Sequence, residues 1–310
     1  MGIAHLDDAP RRPLVLGHLQ GTWSFAGEAA GSVGIGMRRI EIPAGGWSTP
    51  AHEHGRQEEI FYVLGPWPLV AGWQGLGDRR GRRHRLSRGK GAHTLHAVDD
   101  MDVLAFGPRG GDESPRFPRL GLSLVGSRAV ESLDYLVEGM PIQFVREAAL
   151  GPPPLPATAD PRPGTIVNLS AVAPESIARP RVVRTRRNLG RAAGSITTGL
   201  QHVEVARGKE STAQHCHSLE EEMFVVLDGD GVLVLGTEET PVRRGHVVAR
   251  PPGTGVAHVF RAGDRGLTYL AYGTRDPGDV CYYPRSNKIS FRGVNVIARL
   301  ERLEYWDGED

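Results

Sequence analysis

Apolar residues along the chain fall into short runs rich in β-branched and aromatic side chains, divided by glycine, proline and aspartate. Val232-Leu233-Val234-Leu235, Val247-Val248-Ala249 and Leu267-Thr268-Tyr269-Leu270-Ala271-Tyr272 are representative, with Asp228-Gly229-Asp230-Gly231 as a turn between two of them. Such runs predict many short strands joined by tight turns. The 41 glycines and 23 prolines supply those turns. Helical periodicity is scarce, and its best instance predicts one short helix over Ser127–Leu136. Six prolines among the thirteen residues 151–163 remove ladder donors and favour an extended spacer, so the expected division is 1–150, a linker at 151–163, and 164–310.

The pattern is written twice. Glu58-Glu59-Ile60-Phe61-Tyr62-Val63-Leu64 answers Glu221-Glu222-Met223-Phe224-Val225-Val226-Leu227, Ala92-His93 answers Ala257-His258, and Leu104-Ala105-Phe106-Gly107 answers Leu270-Ala271-Tyr272-Gly273. A long fixed period means two copies of one domain. One stretch breaks the symmetry. Residues 229–250 read as two strands around a turn, whereas Pro66–Lys90 carries six arginines, two tryptophans and one β-branched residue, Val70. It reads either as a divergent, solvated hairpin or as the product of compensating frame shifts.

Composition narrows the function classes. With 310 residues, 24% charged side chains and a net charge of +1, nothing calls for nucleic acid or an anionic membrane. There is no run of ~18 apolar residues and no basic-then-apolar leader, so the expectation is a cytoplasmic protein whose partner is a small molecule. A homo-oligomer is compatible with that. Cys216 and Cys281 are too few for a disulfide framework.

The chemistry lies in the repeat. His52, His54, Glu59 and His93 recur as His215, His217, Glu222 and His258, the first three shifted by 163 residues (215 − 52, 217 − 54, 222 − 59) and the last by 165 (258 − 93). In a strand, residues i and i+2 face the same side about 6.6 Å apart, so each His-x-His aims two imidazoles at one ion. Glu53 and Cys216 then face away. Three neutral imidazoles and one carboxylate suit a divalent transition metal (Mn, Fe, Ni, Co, Cu or Zn), one per copy, with open positions for a substrate. His84, His96, His202 and His246 have no counterpart in the other copy and are expected at the surface or behind the ligands.

These residues resemble a known superfamily. Gly46-x5-His52-x-His54-x4-Glu59 and His215-x-His217-x4-Glu222-x6-Gly229 are similar to the first cupin motif, and Gly245-x5-Pro251-x-Gly253 followed by His258 is similar to the second. The whole chain resembles a bicupin. That resemblance implies an all-β fold of two double-stranded β-helix (jelly-roll) barrels in tandem, each holding a metal at its mouth. It further implies a metal-dependent oxidoreductase of the dioxygenase kind acting on a small oxygen-rich molecule. An oxalate-type decarboxylase, a metal-dependent isomerase or lyase, and a non-catalytic binding protein are the alternatives. Both copies depart from the motif. In the first, Pro66 and Ser87 replace a glycine and a proline, and in the second the gap from Gly253 to His258 is four residues and Ala262 stands where an asparagine is usual. The second keeps its Pro-Gly turn and a regular strand pair, so activity is expected to depend more on it. In the tail, Tyr283 and Arg285 are either packing residues or ligand contacts.

Overall fold

The computed structural model describes residues 2–54, 57–65, 69–71, 83–88, 92–109, 115–125, 128–129, 136–137, 140–155 and 164–309. It is all-β, two jelly-roll barrels in tandem, each built on a large antiparallel sheet. In the first sheet the strand order is Ile166–Asn168, Arg83–Arg88, Glu58–Leu64, Met101–Pro108, Ile35–Ile42, Leu19–Ser24, Arg11–Leu16. The second runs Gly2–His5, His246–Arg250, Glu222–Leu235, His258–Thr274, Thr198–Val205, Val183–Asn188, Glu175–Ala178, with Glu238–Arg243 added on Glu222–Leu235. Strand by strand the orders match.

The outermost strand of each sheet comes from the opposite half of the chain. Gly2–His5 pairs with Ala249–His246, and Ile166–Asn168 pairs with Arg85–Arg83. With a division at 151–163, each half lends one strand to the sheet of the other. Most of that linker, residues 156–163, lies outside the described residues.

The doubled apolar runs now have a cause. Strand Glu58–Leu64 alternates Ile60 and Tyr62 on one side with Phe61 and Val63 on the other, and all four are buried. Phe61 and Val63 join Ile40, Ile42 and Val103 inside the first barrel, while Ile60 and Tyr62 join Met37, Phe106, Leu200, Met223, Leu270 and Tyr272 in a core shared by both halves. The second barrel has its own interior around Phe224, Val226, Phe260 and Tyr269. A strand buried on both faces reads as a continuous apolar run, not as an alternation.

Two buried carboxylates pin the halves together. Glu58 accepts from Ile196 N (2.9 Å), Thr198 N (3.1 Å) and Ser195 Oγ (2.8 Å) of the other half, and Glu221 accepts from Val33 N (2.8 Å), Gly34 N (2.6 Å) and Ile35 N (3.1 Å). Each caps the loop entering the opposite barrel. The hydrogen bonds from Ile196, Ser195, Thr197 and Thr198 more than offset burial and hold the Glu58 carboxyl below its ordinary range.

Two expectations change. The helix expected over Ser127–Leu136 is not formed where the chain is described: Arg128–Ala129 pairs with Leu124–Val125, and Leu136–Val137 pairs with Met140–Pro141. The helix lies instead at Ile142–Leu150, directly after Pro141, whose fixed φ suits a helix start. Within 66–90 only the backbone of 69–71 and 83–88 is described; both are strands, and Arg83–Arg88 pairs with Glu58–Tyr62 much as His246–Arg250 pairs with Glu222–Val225. No helix among the described residues is long and apolar enough to cross a membrane.

Candidate metal centres

In the first barrel His52 and His93 face each other across a bridge between their backbones, His54 follows two residues after His52, and Glu59 lies in strand Glu58–Leu64. The four side chains offer ligand atoms that all lie within 4.8 Å of one another. His54 Nε2 donates to Glu59 Oε2 at 3.0 Å, and His93 Nε2 to the same oxygen at 2.9 Å. His52 Nδ1 donates to the Pro50 carbonyl at 2.9 Å, which leaves its Nε2 lone pair for the cluster. Burial, reinforced by His93, pushes the His52 imidazole down to about 3, so it is neutral at physiological pH. Burial opposes ionisation of Glu59, but the hydrogen bonds from His54 and His93 outweigh it and hold the carboxyl well below its usual range.

The second barrel repeats the arrangement with an addition. His215 Nδ1 donates to Ala213 O at 2.8 Å, the counterpart of the His52–Pro50 bond. Burial and His258 push His215 down to about 4. His258 Nε2 lies 3.2 Å from Glu222 Oε2 and His217 Nε2 lies 3.5 Å from it, and against the effect of burial these contacts hold the Glu222 carboxyl far below its ordinary range. His217 also donates from Nδ1 to Asp279 Oδ2 at 2.7 Å. Burial disfavours its protonation, yet that hydrogen bond prevails and raises the imidazole. His215, Glu222 and His258 form one tight group, and all four side chains line a cavity of 240 Å³.

All eight expected residues are therefore brought together, four in each barrel. His52 and His215, neutral and locked through Nδ1, stand beside further imidazoles and an ionised carboxylate, a donor set a divalent transition metal takes. As expected, Glu53 and Cys216 turn away: Glu53 pairs with Arg116, and Cys216 lies against the Tyr282 carbonyl. His96 and His202 are buried, not superficial, and belong to neither cluster.

Several residues at the second centre escaped the motif. Asp279 orients His217, and Cys281 places its thiol within 4.8 Å of ligand atoms on His215 and His217. Tyr283 stacks on His215 with ring centroids 5.8 Å apart, as Phe117 lies 5.9 Å from His52 in the first barrel. Arg285 turns away to Glu210 at 2.7 Å. The sequence does hold a signal for the aromatic pair: Phe117-Pro118-Arg119 recurs as Tyr283-Pro284-Arg285, 166 residues on (283 − 117).

A family model described as Cupin_2, cupin domain, matches residues 201–271. Oxalate decarboxylase from Bacillus subtilis superposes on 89% of this chain and 76% of its own, with a TM-score of 0.55 and 14% identity. Residues 201–271 thus carry a cupin domain, and the chain as a whole has a bicupin-like fold. Salicylate 1,2-dioxygenase from Pseudoaminobacter salicylatoxidans in complex with gentisate is similar over 78% of this chain and 69% of its own, with a TM-score of 0.51 and 15% identity. A cupin-superfamily sugar phosphate isomerase from Silicibacter pomeroyi is 25% identical over 45% of this chain and 96% of its own, with a TM-score of 0.40. No match was found among curated protein sequences. At these identities the two longer likenesses speak for the two-barrel fold and leave the reaction to the chain's own residues.

Proposed function

We propose that this bicupin is a metal-dependent oxidoreductase, dioxygenase-like, acting on a small oxygen-rich molecule in the second barrel. Residues 1–150 and 164–310 would each hold one divalent transition metal in a cytoplasmic protein. The observation that carries this reading is the 240 Å³ cavity that opens onto His215, His217, Glu222 and His258. It is smaller than the roughly 300–1,000 Å³ of pockets for drug-sized ligands, which argues for a small substrate. The cavity beside His54 and Glu59 is smaller still, 160 Å³.

A metal bound there supplies Lewis acidity toward substrate oxygens and, when redox-active, electron exchange with dioxygen. The chain's own residues set the stage. Ala213 fixes the tautomer of His215, Asp279 fixes that of His217, and Phe224 and Phe260 form a dry wall beside the cluster. Tyr283 stacks on His215 and lines a neighbouring cavity with Asp279 and Cys281 on the side of the C-terminal sheet.

The test is elemental analysis of purified protein together with oxygen uptake on enols, catechols and small dicarboxylates. Iron, nickel or copper with oxygen consumption supports the proposal. Manganese with carbon dioxide release replaces it with a decarboxylase, and bound metal without turnover replaces it with an isomerase, a lyase or a sensor.

A further inference from the structure

Four arginines and two glutamates line the cavity of the second barrel: Arg184, Arg186, Arg275 and Arg292 with Glu220 and Glu222. Three of the arginines are engaged. Arg186 is paired with Glu175 at 2.7 Å, Arg292 with Glu220, and Arg275 donates to Ser195 O and Asn188 Oδ1 at 3.4 Å. Arg184 differs. Its Nε is buried and has no hydrogen-bond partner among the described residues, and no carboxylate lies within ion-pairing distance of it there. A guanidinium carries its charge at any physiological pH, and leaving such a donor buried without an acceptor is costly, so the site is built for an acceptor that arrives from outside. Beside it stands the Tyr269 phenol, buried and hydrogen-bonded to Ser211, whose hydroxyl also accepts from Phe260 N at 3.1 Å.

The first barrel shows that fold alone does not call for this charge. The positions equivalent to Arg184 and Tyr269 are Gly21 and Val103 (184 − 163, 269 − 166). There the space is taken: a Cβ placed on Gly21 would meet the Trp23 ring at 3.4 Å and the Glu41 carbonyl at 3.1 Å. Trp23 packs into that barrel's interior, where the second copy has Arg186.

We propose that Arg184, flanked by Tyr269 and Ser211, is an anion subsite, so that the substrate of the second centre carries a carboxylate or phosphate group separate from the oxygens that face the histidines. This rests on the reading that the histidine cluster holds a metal. A charge-assisted pair at a partly buried guanidinium contributes enough to be read directly in affinity.

The experiment is calorimetric titration of the metal-loaded protein with acetate and with inorganic phosphate, for wild type, Arg184→Gln and Arg184→Lys, metal content being measured in each sample beforehand. Expected is a loss of anion affinity of about tenfold or more in Arg184→Gln, partial recovery in Arg184→Lys, and unchanged metal content in both. The tighter of the two anions identifies the group. Equal affinity in wild type and Arg184→Gln at equal metal content overturns the subsite and shows the anion on the metal itself. Absence of metal in wild type overturns the metal reading instead, and the same titration on that protein still decides the subsite. Circular dichroism of Arg184→Lys guards against a folding defect in Arg184→Gln: if Arg184→Lys folds as wild type does and binds anion no better than Arg184→Gln, the subsite falls.

Discussion

The two barrels carry the same ligands on the same strands, and they differ in what surrounds them. Behind the first quartet, Gly21, Trp23 and Val103 make a filled, apolar interior, whereas behind the second, Arg184, Ser211 and Tyr269 line a polar recess. Among the described residues, the second cluster has a carboxylate, Asp279, on His217, and a thiol, Cys281, in reach. Both halves thus keep the candidate ligand quartet, while the larger and more polar cavity lies in the second. Motif wording, from which both copies depart, is a poor guide to geometry: the first quartet is at least as tight as the second.

The comparison breaks most sharply at the histidines. Replacing His217 by Ala is expected to remove the metal of the second barrel and to lower turnover on the order of a hundredfold or more, while His54→Ala leaves measurable activity. Metal stoichiometry and initial rates check it, and equal losses from the two variants would mean two working centres.

Next come the interbarrel carboxylates, which test the symmetry of the joint. Glu58 receives five donors, counting Thr197 N at 3.2 Å and Thr198 Oγ1 at 3.0 Å, and Glu221 receives three. Glu58→Ala is expected to cost about 3 kcal/mol and Glu221→Ala about 2, since each strands buried N–H groups. Chemical denaturation measures both; a larger loss at Glu221 would reverse the ranking.

Orientation of His217 gives a smaller effect. Asp279→Asn is expected to weaken metal binding in the second barrel by about 10–100-fold and to leave the first unchanged. Competition with a chelator resolves the two sites, and parallel weakening of both would show a global defect.

The gentlest probe is pH. Because the folded Glu58 carboxyl lies below its ordinary value of 4.5, its ionised form stabilises the fold fully above that value, and the contribution is lost as pH falls through the lower folded value. Stability of wild type relative to Glu58→Gln should therefore shrink on acidification below about 4.5. A constant difference across that range would separate Glu58 from the acid response.

The repeat made the fold readable, because two 163-spaced copies of a ligand pattern on short apolar runs leave few architectures, and it made all eight candidate ligands readable as well. What escaped lacks a copy or lacks length. Arg184, Tyr269 and Cys281 have Gly21, Val103 and Pro115 at their counterparts, so self-comparison passes over them. The strands Gly2–His5 and Ile166–Asn168 are too short to announce a partner, and each takes its place from pairing with a strand far off in sequence. At Ser127–Leu136 the apolar spacing suits a helix, but Arg128–Ala129 and Leu136–Val137 form hairpin pairs that override it.

The exchange of outer strands sets a timetable for synthesis. When the ribosome has delivered the first 160 residues, the first sheet still lacks Ile166–Asn168, and Arg83–Arg88 presents an open edge. Gly2–His5, made first of all, waits until His246–Arg250 exists before it has a ladder to join. Neither barrel is finished at the midpoint of translation; the first closes just past it, and the second waits almost to the end of the chain. Contacts that span some 240 residues close slowly and leave strand edges open to the wrong neighbours meanwhile. The two short outer strands thus join their sheets only after a long stretch of chain has been made.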